Sequence, residues 1–295
     1  MRAIYAFLVF VLAQAVAAPG ATTLDVYFIN VGHGDAILID YGDWEALIDG
    51  GTSGDAPETE RLAAEMRLLD RLEQCTTDRT IDLLILSHPH EDHNSFLGEV
   101  LANYEVLDVW YASDTSRQLL ASAYAACARS LDSERPNMRA LTYDERIPVG
   151  CFVWTVLGPA GPDADAKDDR AVNDNSLVLL LQYGAAAFLF SGDVRTTAEA
   201  TLPDVSPTET AFVLLAPHHG YKESALPTLA RHFDPDLVVF STDDLTPDGT
   251  AQLAADGIPF LSTSTSGTVH IHTDGLTVWV TTDTLSGPDV QCEDP

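Results

Sequence analysis

Lysine is nearly missing from this sequence. Lys167 and Lys222 are the two in 295 residues, and Lys and Arg together number 15 against 45 Asp and Glu, a formal net charge of −30. A chain with no basic footprint does not hold a polyanion tightly and nonspecifically at low salt, because such binding runs on phosphate neutralisation. Two readings of the acidic surplus stay open: adaptation to a salty medium, where screening hides the charge, or a substrate that is small, neutral or cationic. Long apolar runs are missing too. Ile4 to Ala13 is too short to favour a spanning helix, and no later stretch is long enough. The four cysteines, Cys75, Cys127, Cys151 and Cys292, show no C-x-x-C spacing, which excludes a thiolate metal cluster of that type. There is no G-x-S-x-G elbow, so a serine nucleophile of that kind is excluded as well. Low-complexity linkers and internal repeats are absent.

The N-terminus reads as a secretory signal over residues 1–17. Arg2 supplies the positive end, Ile4 to Ala13 the apolar stretch, and Ala15-Val16-Ala17 a small-x-small cleavage site. Cleavage near Ala17 predicts a secreted or periplasmic protein. In that oxidising setting the four cysteines are expected to form one or two disulfides, with three connectivities open. Residues 18–295 read as a single α/β domain. An alternating pattern predicts a strand over 24–31, and apolar stretches predict strands over 36–40, 44–49, 81–87, 106–112, 151–157, 176–183, 186–191, 212–216 and 237–241, with a final hairpin over 269–272 and 276–281. Helices are predicted over 57–73, 94–104, 116–131 and 227–232. In the first of these, Leu62, Met66, Leu69 and Leu72 carry the apolar spacing. The polar stretch from Gly158 to Asn173 reads as a loop or lid. Strands with interspersed helices in both halves predict two face-to-face sheets with helices outside, a four-layer αββα domain.

The densest chemistry lies in His88-Pro89-His90-Glu91-Asp92-His93, directly after the 81–87 strand. Two alternate residues at a strand end share one side. The following turn into a helix aims Asp92 and His93 at a second point. Imidazole and carboxylate at this density suit zinc-like ions, and the layout suits two of them. A later strand-end carboxylate, Asp193, is placed to bridge the pair, and a further imidazole from His218 or His219 to complete the second site.

H-x-H-x-D-H after a strand resembles the signature of the metallo-β-lactamase superfamily. Asp49 in Leu47-Ile48-Asp49-Gly50-Gly51, Asp193 in Phe190-Ser191-Gly192-Asp193, and His218-His219-Gly220 resemble the superfamily's later landmarks in order. More narrowly, Asn30 to Ala36, Asn173 to Leu179 and Pro217 to Gly220 are similar to the soluble hydrolase domain of ComEC-type DNA-uptake proteins, to stand-alone secreted relatives and to phosphorylcholine esterases. The resemblance covers roughly Leu24 to Val280. It implies the superfamily's four-layer fold and two divalent ions held by His88, His90, Asp92, His93, Asp193 and His219. Asp49 would brace the metal loop, and the substrate would be a phosphodiester, polymeric or small. The rivals are a β-lactam or lactone hydrolase on the same fold and a non-catalytic metal-binding module.

One departure matters. Many superfamily members place a further histidine between the metal loop and the bridging aspartate, yet none lies between His93 and His218. Asn173-Asp174-Asn175 occupies that region, and amides are poor zinc ligands. The expectation is therefore an asymmetric centre of zinc ions, with the His88/His90 ion held more loosely and manganese admissible there. Bound metal lowers the pKa of a coordinated water from about 16 towards about 7. Asp92 and Asp193 are expected to position that nucleophile, and His218 or Lys222 to stabilise the leaving group. His219 is the expected ligand, with His218 left to face a substrate oxygen. His33 is placed at the pocket entrance or in a turn cap, Asp35 as an organiser of its loop. His270 and His272 share a strand face and are read as structural, and Ser262 to Thr268 as a loop. Oligomeric state stays open.

Overall fold

The computed structural model describes residues 22–112, 114–127, 136–160, 168–195 and 211–284. The signal-like segment, Lys167 and Cys292 lie outside the described residues, as does the side chain of Cys127.

The first half runs β1 (Leu24–Phe28), β2 (Ile37–Asp40), β3 (Glu45–Ile48), α1 (Glu58–Cys75), β4 (Thr80–Leu86), α2 (Glu91–Asn94), α3 (Leu97–Asn103), β5 (Glu105–Tyr111), α4 (Asp114–Cys127) and β6 (Asn137–Ala140). The second runs β7 (Arg146–Val149), β8 (Phe152–Gly158), α5 (Asp169–Asp174), β9 (Val178–Tyr183), β10 (Ala186–Phe190), β11 (Ala211–Leu215), α6 (Leu226–Phe233), β12 (Leu237–Phe240), α7 (Pro247–Asp256), β13 (Phe260–Ser262) and α8 (Thr263–Ser266). The hairpin β14 (Val269–Thr273) and β15 (Val278–Thr282) then rejoins the first sheet. Among the described residues one sheet has the order β15-β14-β1-β2-β3-β4-β5-β6 and the other β13-β12-β11-β10-β9-β8-β7.

Period-two alternation sorts the side chains into layers. Leu24, Val26 and Phe28 point between the sheets, where they meet Trp154, Phe188 and Phe190. Tyr27 and Ile29 point the other way, into a layer with Leu68 and Leu72 of α1 and Leu97 and Val100 of α3. On the second sheet Leu189, Leu214 and Val238 pack under Leu226, Leu229 and Phe233 of α6 and Leu253 of α7. Each such side chain, fully buried, contributes roughly 1.5–3 kcal/mol relative to exposure. Sheets covered on both faces give apolar strands such as Ala-Phe-Val-Leu-Leu in β11.

Parallel pairing decides where function can sit. β3, β4 and β5 run parallel, as do β10, β11, β12 and β13. The loops leaving their C-terminal ends carry Asp49, His88 to His93, Asp193, His218, His219 and Ser241. Those ends form a crevice, the place where α/β sheets gather ligands.

Several elements differ from the sequence expectation. The buried face of α1 is Ala64, Leu68, Leu72 and Cys75, whereas Leu62 and Met66 are 52% and 61% exposed. Two apolar rows wind around this helix, and the one carrying Leu68 and Leu72, four apart, meets the sheet. The expected 94–104 helix is two pieces, α2 and α3, so Asp92 and His93 already lie in a helical turn. Within the expected loop of 158–173, α5 forms on an N-cap in which Ala171 N donates to Asp168 Oδ1 at 3.0 Å. α7 was not anticipated, although its signals stand in the sequence: Thr246 as N-cap, Pro247 at the first turn, and Gly257 left-handed at the end. Part of the Ser262–Thr268 loop is the short helix α8, capped by Ser262. β6 and β7 are also additional. Cys75 is buried and Cys151 exposed, and they are not bonded to each other.

Glu45 at the start of β3 is 4% exposed, pairs across the sheet with Asp40, and donates its N–H to Asp82 Oδ2 at 2.9 Å. Burial first, then the charges of Asp40 and Asp82, push its carboxyl up to about 8 from an ordinary 4.5. A raised carboxyl pKa means that the folded chain holds the proton more tightly than the unfolded one. This contribution to stability is complete below the unfolded pKa and is lost as pH rises through the folded pKa. Glu45→Gln is therefore expected to flatten the fall in urea midpoint between about pH 5 and about pH 8, and to be the more resistant form at the upper end. Equal slopes for the two proteins would contradict the assignment.

Candidate metal centre

Asp49, just past β3, adopts a left-handed conformation (φ 57°) that turns its carboxylate under the end of β4. Its Oδ1 accepts from Ser87 N at 2.8 Å, and its Oδ2 accepts from Ser87 Oγ at 2.6 Å and His93 Nδ1 at 2.8 Å. Ser87 Oγ lies 3.1 Å from His88 Nδ1. With their Nδ1 atoms occupied in this way, both rings turn Nε2 into the crevice. His219 is held by the same device, its Nδ1 donating to Ser241 O at 2.9 Å. Ser241 Oγ in turn donates to Gly34 O at 2.6 Å, and Asp35 N to Asp92 O at 3.0 Å, tying the β1–β2 turn to the histidine loop.

The freed atoms converge in two groups that share Asp193. On one side His88 Nε2 is 3.1 Å from His90 Nδ1 and 3.5 Å from Asp193 Oδ2. On the other, Asp193 Oδ1 is 3.1 Å from His93 Nε2 and 3.7 Å from His219 Nε2, which is 3.4 Å from Asp92 Oδ2. The donor atoms of each group lie within 4.8 Å of one another. His93 Nε2, His219 Nε2 and Asp193 Oδ1 are buried without a hydrogen-bond partner. Native proteins rarely leave buried polar atoms that way. Imidazole nitrogens and carboxylate oxygens aimed at common points fit divalent cations.

Burial opposes charge on all of these groups, and at several the neighbouring charges outweigh it. At His93 the carboxylates of Asp193, Asp49 and Asp92 overcome burial and hold the imidazole well above its ordinary value. At His219 burial is likewise overcome, by Asp193, Asp92 and Asp35, and the pKa rises to about 9. Asp193 and Asp92 resist burial through the facing imidazoles and stay below the usual carboxylate range. His88 is lowered by burial and by His93, His218 chiefly by burial. Asp35 is raised by burial to about 6. The facing carboxylates thus favour positive charge at His93 and His219, the charge that a divalent ion would supply.

Four histidines and two aspartates from three loops, with the carboxylate of Asp193 shared between two groups, match a known pattern along the whole crevice: a family model described as the metallo-β-lactamase superfamily covers residues 29–242. The chain belongs to that superfamily. Its members are mostly metal-dependent hydrolases. The chain is 24% identical over 229 residues to ComE operon protein 3 of Bacillus subtilis (strain 168), covering 74% of this chain and 28% of that protein. It therefore spans less than a third of that relative's length. Among solved structures, the metallo-β-lactamase fold protein YhfI from Bacillus subtilis is 11% identical at a TM-score of 0.53, with 88% of this chain and 99% of that one covered. CmlA, a diiron β-hydroxylase from Streptomyces venezuelae, is 15% identical at 0.50, with 82% of this chain and 51% of that one covered. At such identities the likeness is one of fold, and a hydroxylase on it shows that the fold alone does not choose the reaction.

Within this metallo-β-lactamase fold the other candidate residues fall into three places. Asn173 is buried at the end of α5 with Nδ2 3.4 Å from His218 Nε2, and its Oδ1 has no partner. Asn175 is buried beyond it, its N–H donating to Ala171 O. His218 is left-handed (φ 50°), as is His219 (φ 54°), and its Nε2 lies 3.8 Å from Asp193 Oδ2. The twin histidines thus address different oxygens of one carboxylate. Lys222 is not brought to the centre. It is exposed and opens onto a cavity of about 50 Å³ lined by Ser224, Leu226, Gln252 and Leu253, whose walls hold none of the metal-type donors. The turn closes at Tyr221 N to His218 O (2.9 Å).

His33 lines the site rather than merely capping a turn. Its ring lies 4.5 Å from that of His219 and 5.2 Å from Tyr221. Residues that sequence reasoning missed are the supports. Ser87 and Ser241 fix ligand rings, Ser176 Oγ accepts from Asp193 N (3.1 Å), and Arg195 clamps α5 through Asp174 at 2.7 and 3.2 Å. Serines carry no local signal for such roles. Arg195 was findable as one of few cations, two residues after Asp193.

Proposed function

We propose that this chain is a dinuclear metal-dependent phosphodiesterase acting outside the cytoplasm. The observation that carries the dinuclear reading is Asp193, whose two oxygens face two separate donor groups. His88, His90 and Asp193 would hold one ion, and Asp92, His93, Asp193 and His219 the other. When bound, such ions supply an ionised water and neutralise charge growing on the phosphate oxygens. The protein's own residues do the remainder. Asp49 and the Ser241 carbonyl keep protons on Nδ1 of His93 and His219, so that Nε2 stays available. The two sheets exclude water from the floor.

His218 takes the place of the imidazole that the sequence lacks between the metal loop and Asp193. Its Nε2 faces the same Asp193 oxygen as His88, and burial favours its neutral form. On this reading the His88/His90 ion is better held than the asparagine turn alone would allow, and zinc suits both positions. His218→Ala is expected to lower the zinc bound at the centre from two per chain to about one while His219→Ala empties the other position. Retention of two zinc ions at the centre by His218→Ala would assign His218 to the substrate instead.

The phosphodiester class rests on the resemblance to ComEC-type domains and phosphorylcholine esterases. The charge of −30 argues for a small substrate over a polymer at low salt. At the mouth, half-exposed Tyr221 and the carboxylate of Asp243, 3.5 Å from His33, suit a neutral or cationic group on the phosphate. Export rests on Arg2, the apolar Ile4 to Ala13 and Ala15-Val16-Ala17, and is checked by sequencing the N-terminus of the exported chain. The function is tested with bis(p-nitrophenyl) phosphate, glycerophosphocholine, plasmid DNA and nitrocefin, with zinc or manganese, at low and high salt. The expected result is cleavage of the small phosphodiesters, abolished by His90→Ala. Nitrocefin turnover without phosphodiester cleavage would overturn it.

A further inference from the structure

We propose that Asp25, His270 and His272 form a separate site for one zinc-like divalent cation, on the helix-facing side of the first sheet. Asp25 stands near the start of β1, at the opposite end of that strand from the turn that serves the centre. In the β1–β14 ladder Asp25 pairs with His272 and Tyr27 with His270. Alternation places all four on one face. His270 Nε2 and His272 Nδ1 lie 2.5 and 2.9 Å from the same oxygen, Asp25 Oδ1. One donor atom from each of the three residues falls within 4.8 Å of the other two.

The surroundings are those of a prepared site. His270 is stacked on Tyr27 at 4.2 Å, and the ring of His272 lies 5.3 Å from Trp279 of β15, so neither imidazole turns freely. His270 Nδ1 is 3.2 Å from Thr281 Oγ1. A metal-bound histidine engages its second nitrogen in this manner, and with Nδ1–H donated to the threonine, Nε2 presents a lone pair to the carboxylate. Two nitrogens that converge on one carboxylate oxygen in this way hold a cation, either a proton shared as a hydrogen bond or a divalent ion that replaces it. Two imidazoles and one carboxylate leave the fourth position of a tetrahedral ion to water. The His272 side chain is 27% exposed, which leaves that position open to solvent. The chain's negative charge draws cations towards it. These residues take no part in the centre, so the proposal stands independently of the proposed function.

Chelator-stripped full-length protein is titrated with zinc alone, and bound zinc is counted. The expected result is one equivalent more in the unchanged chain than in Asp25→Asn or His272→Gln, with hydrolysis unaffected by either. Asp193→Asn keeps this equivalent and Asp193→Asn/His272→Gln loses it, which separates failure here from failure at the centre. Ring resonances of His270 and His272 in the unchanged protein supply a second reading, independent of whether a variant folds. They are expected to shift as the last equivalent binds. Equal zinc counts in folded Asp25→Asn, folded His272→Gln and the unchanged chain, or static resonances, would reduce the cluster to hydrogen bonds alone.

Discussion

Asp193→Asn is expected to lower kcat/KM for bis(p-nitrophenyl) phosphate by at least about 10³-fold, equivalent to about 4 kcal/mol of transition-state stabilisation. The substitution preserves shape: the N–H to Ser176 Oγ is backbone and survives. What changes is charge. Asp193 is the largest carboxylate influence on both His93 and His219, and its two oxygens face both donor groups. An amide offers one weak oxygen donor in exchange for two anionic ones. Both ions should be lost together, so metal analysis of the gel-filtered variant is expected to show less than one ion per chain at the centre. A variant that keeps two tightly bound ions and most of its turnover would refute the shared-carboxylate arrangement.

Gly51→Ala is expected to cost at least about 10²-fold in the same assay, although it touches no ligand side chain, since displacement of reacting groups by about 1 Å has effects of that size. A Cβ on Gly51 would stand 2.6 Å from Asn94 N, from Asp92 C and from Glu91 O. All three atoms are backbone of α2, so no rotamer change relieves the contact. The turn bearing Asp92 and His93 has to move away, against hydrogen bonds from Gly50 N to His93 O (2.8 Å) and from Gly51 N to Asp35 O (3.1 Å). Gly98→Ala provides the control. It lies in α3 with nothing within 4 Å of the added carbon, so helix propensity favours it by up to about 1 kcal/mol. Far-UV circular dichroism should show both variants folded, with loss of activity in Gly51→Ala alone. Full activity in Gly51→Ala would show that the histidine turn tolerates displacement.

The sequence showed most plainly what is local. Six consecutive residues, His88 to His93, hold four donors because a strand end and a helical turn are each specified by near neighbours. The alternation of β1 and the apolar run of β11 were readable for the same reason. α1 shows the limit: two apolar rows satisfy the same spacing, and only the sheet beneath selects Leu68 and Leu72 over Leu62 and Met66. α7 shows a different failure, since Thr246, Pro247 and Gly257 marked both its ends and its weakly apolar interior hid it.

The amino-acid sequence alone determined the ligand types, their grouping along the chain, the acidic character and the superfamily. Tertiary structure decided the rest: that Asp193 stands between two donor groups, that His33 packs on His219, that His218 and His219 turn to different oxygens, and that Lys222 lines a cavity whose walls hold none of the donor residues. The physical reason is that donor identity is a property of single residues, whereas convergence is set by parallel strands ending at one edge of two packed sheets, and no short stretch of sequence carries that register.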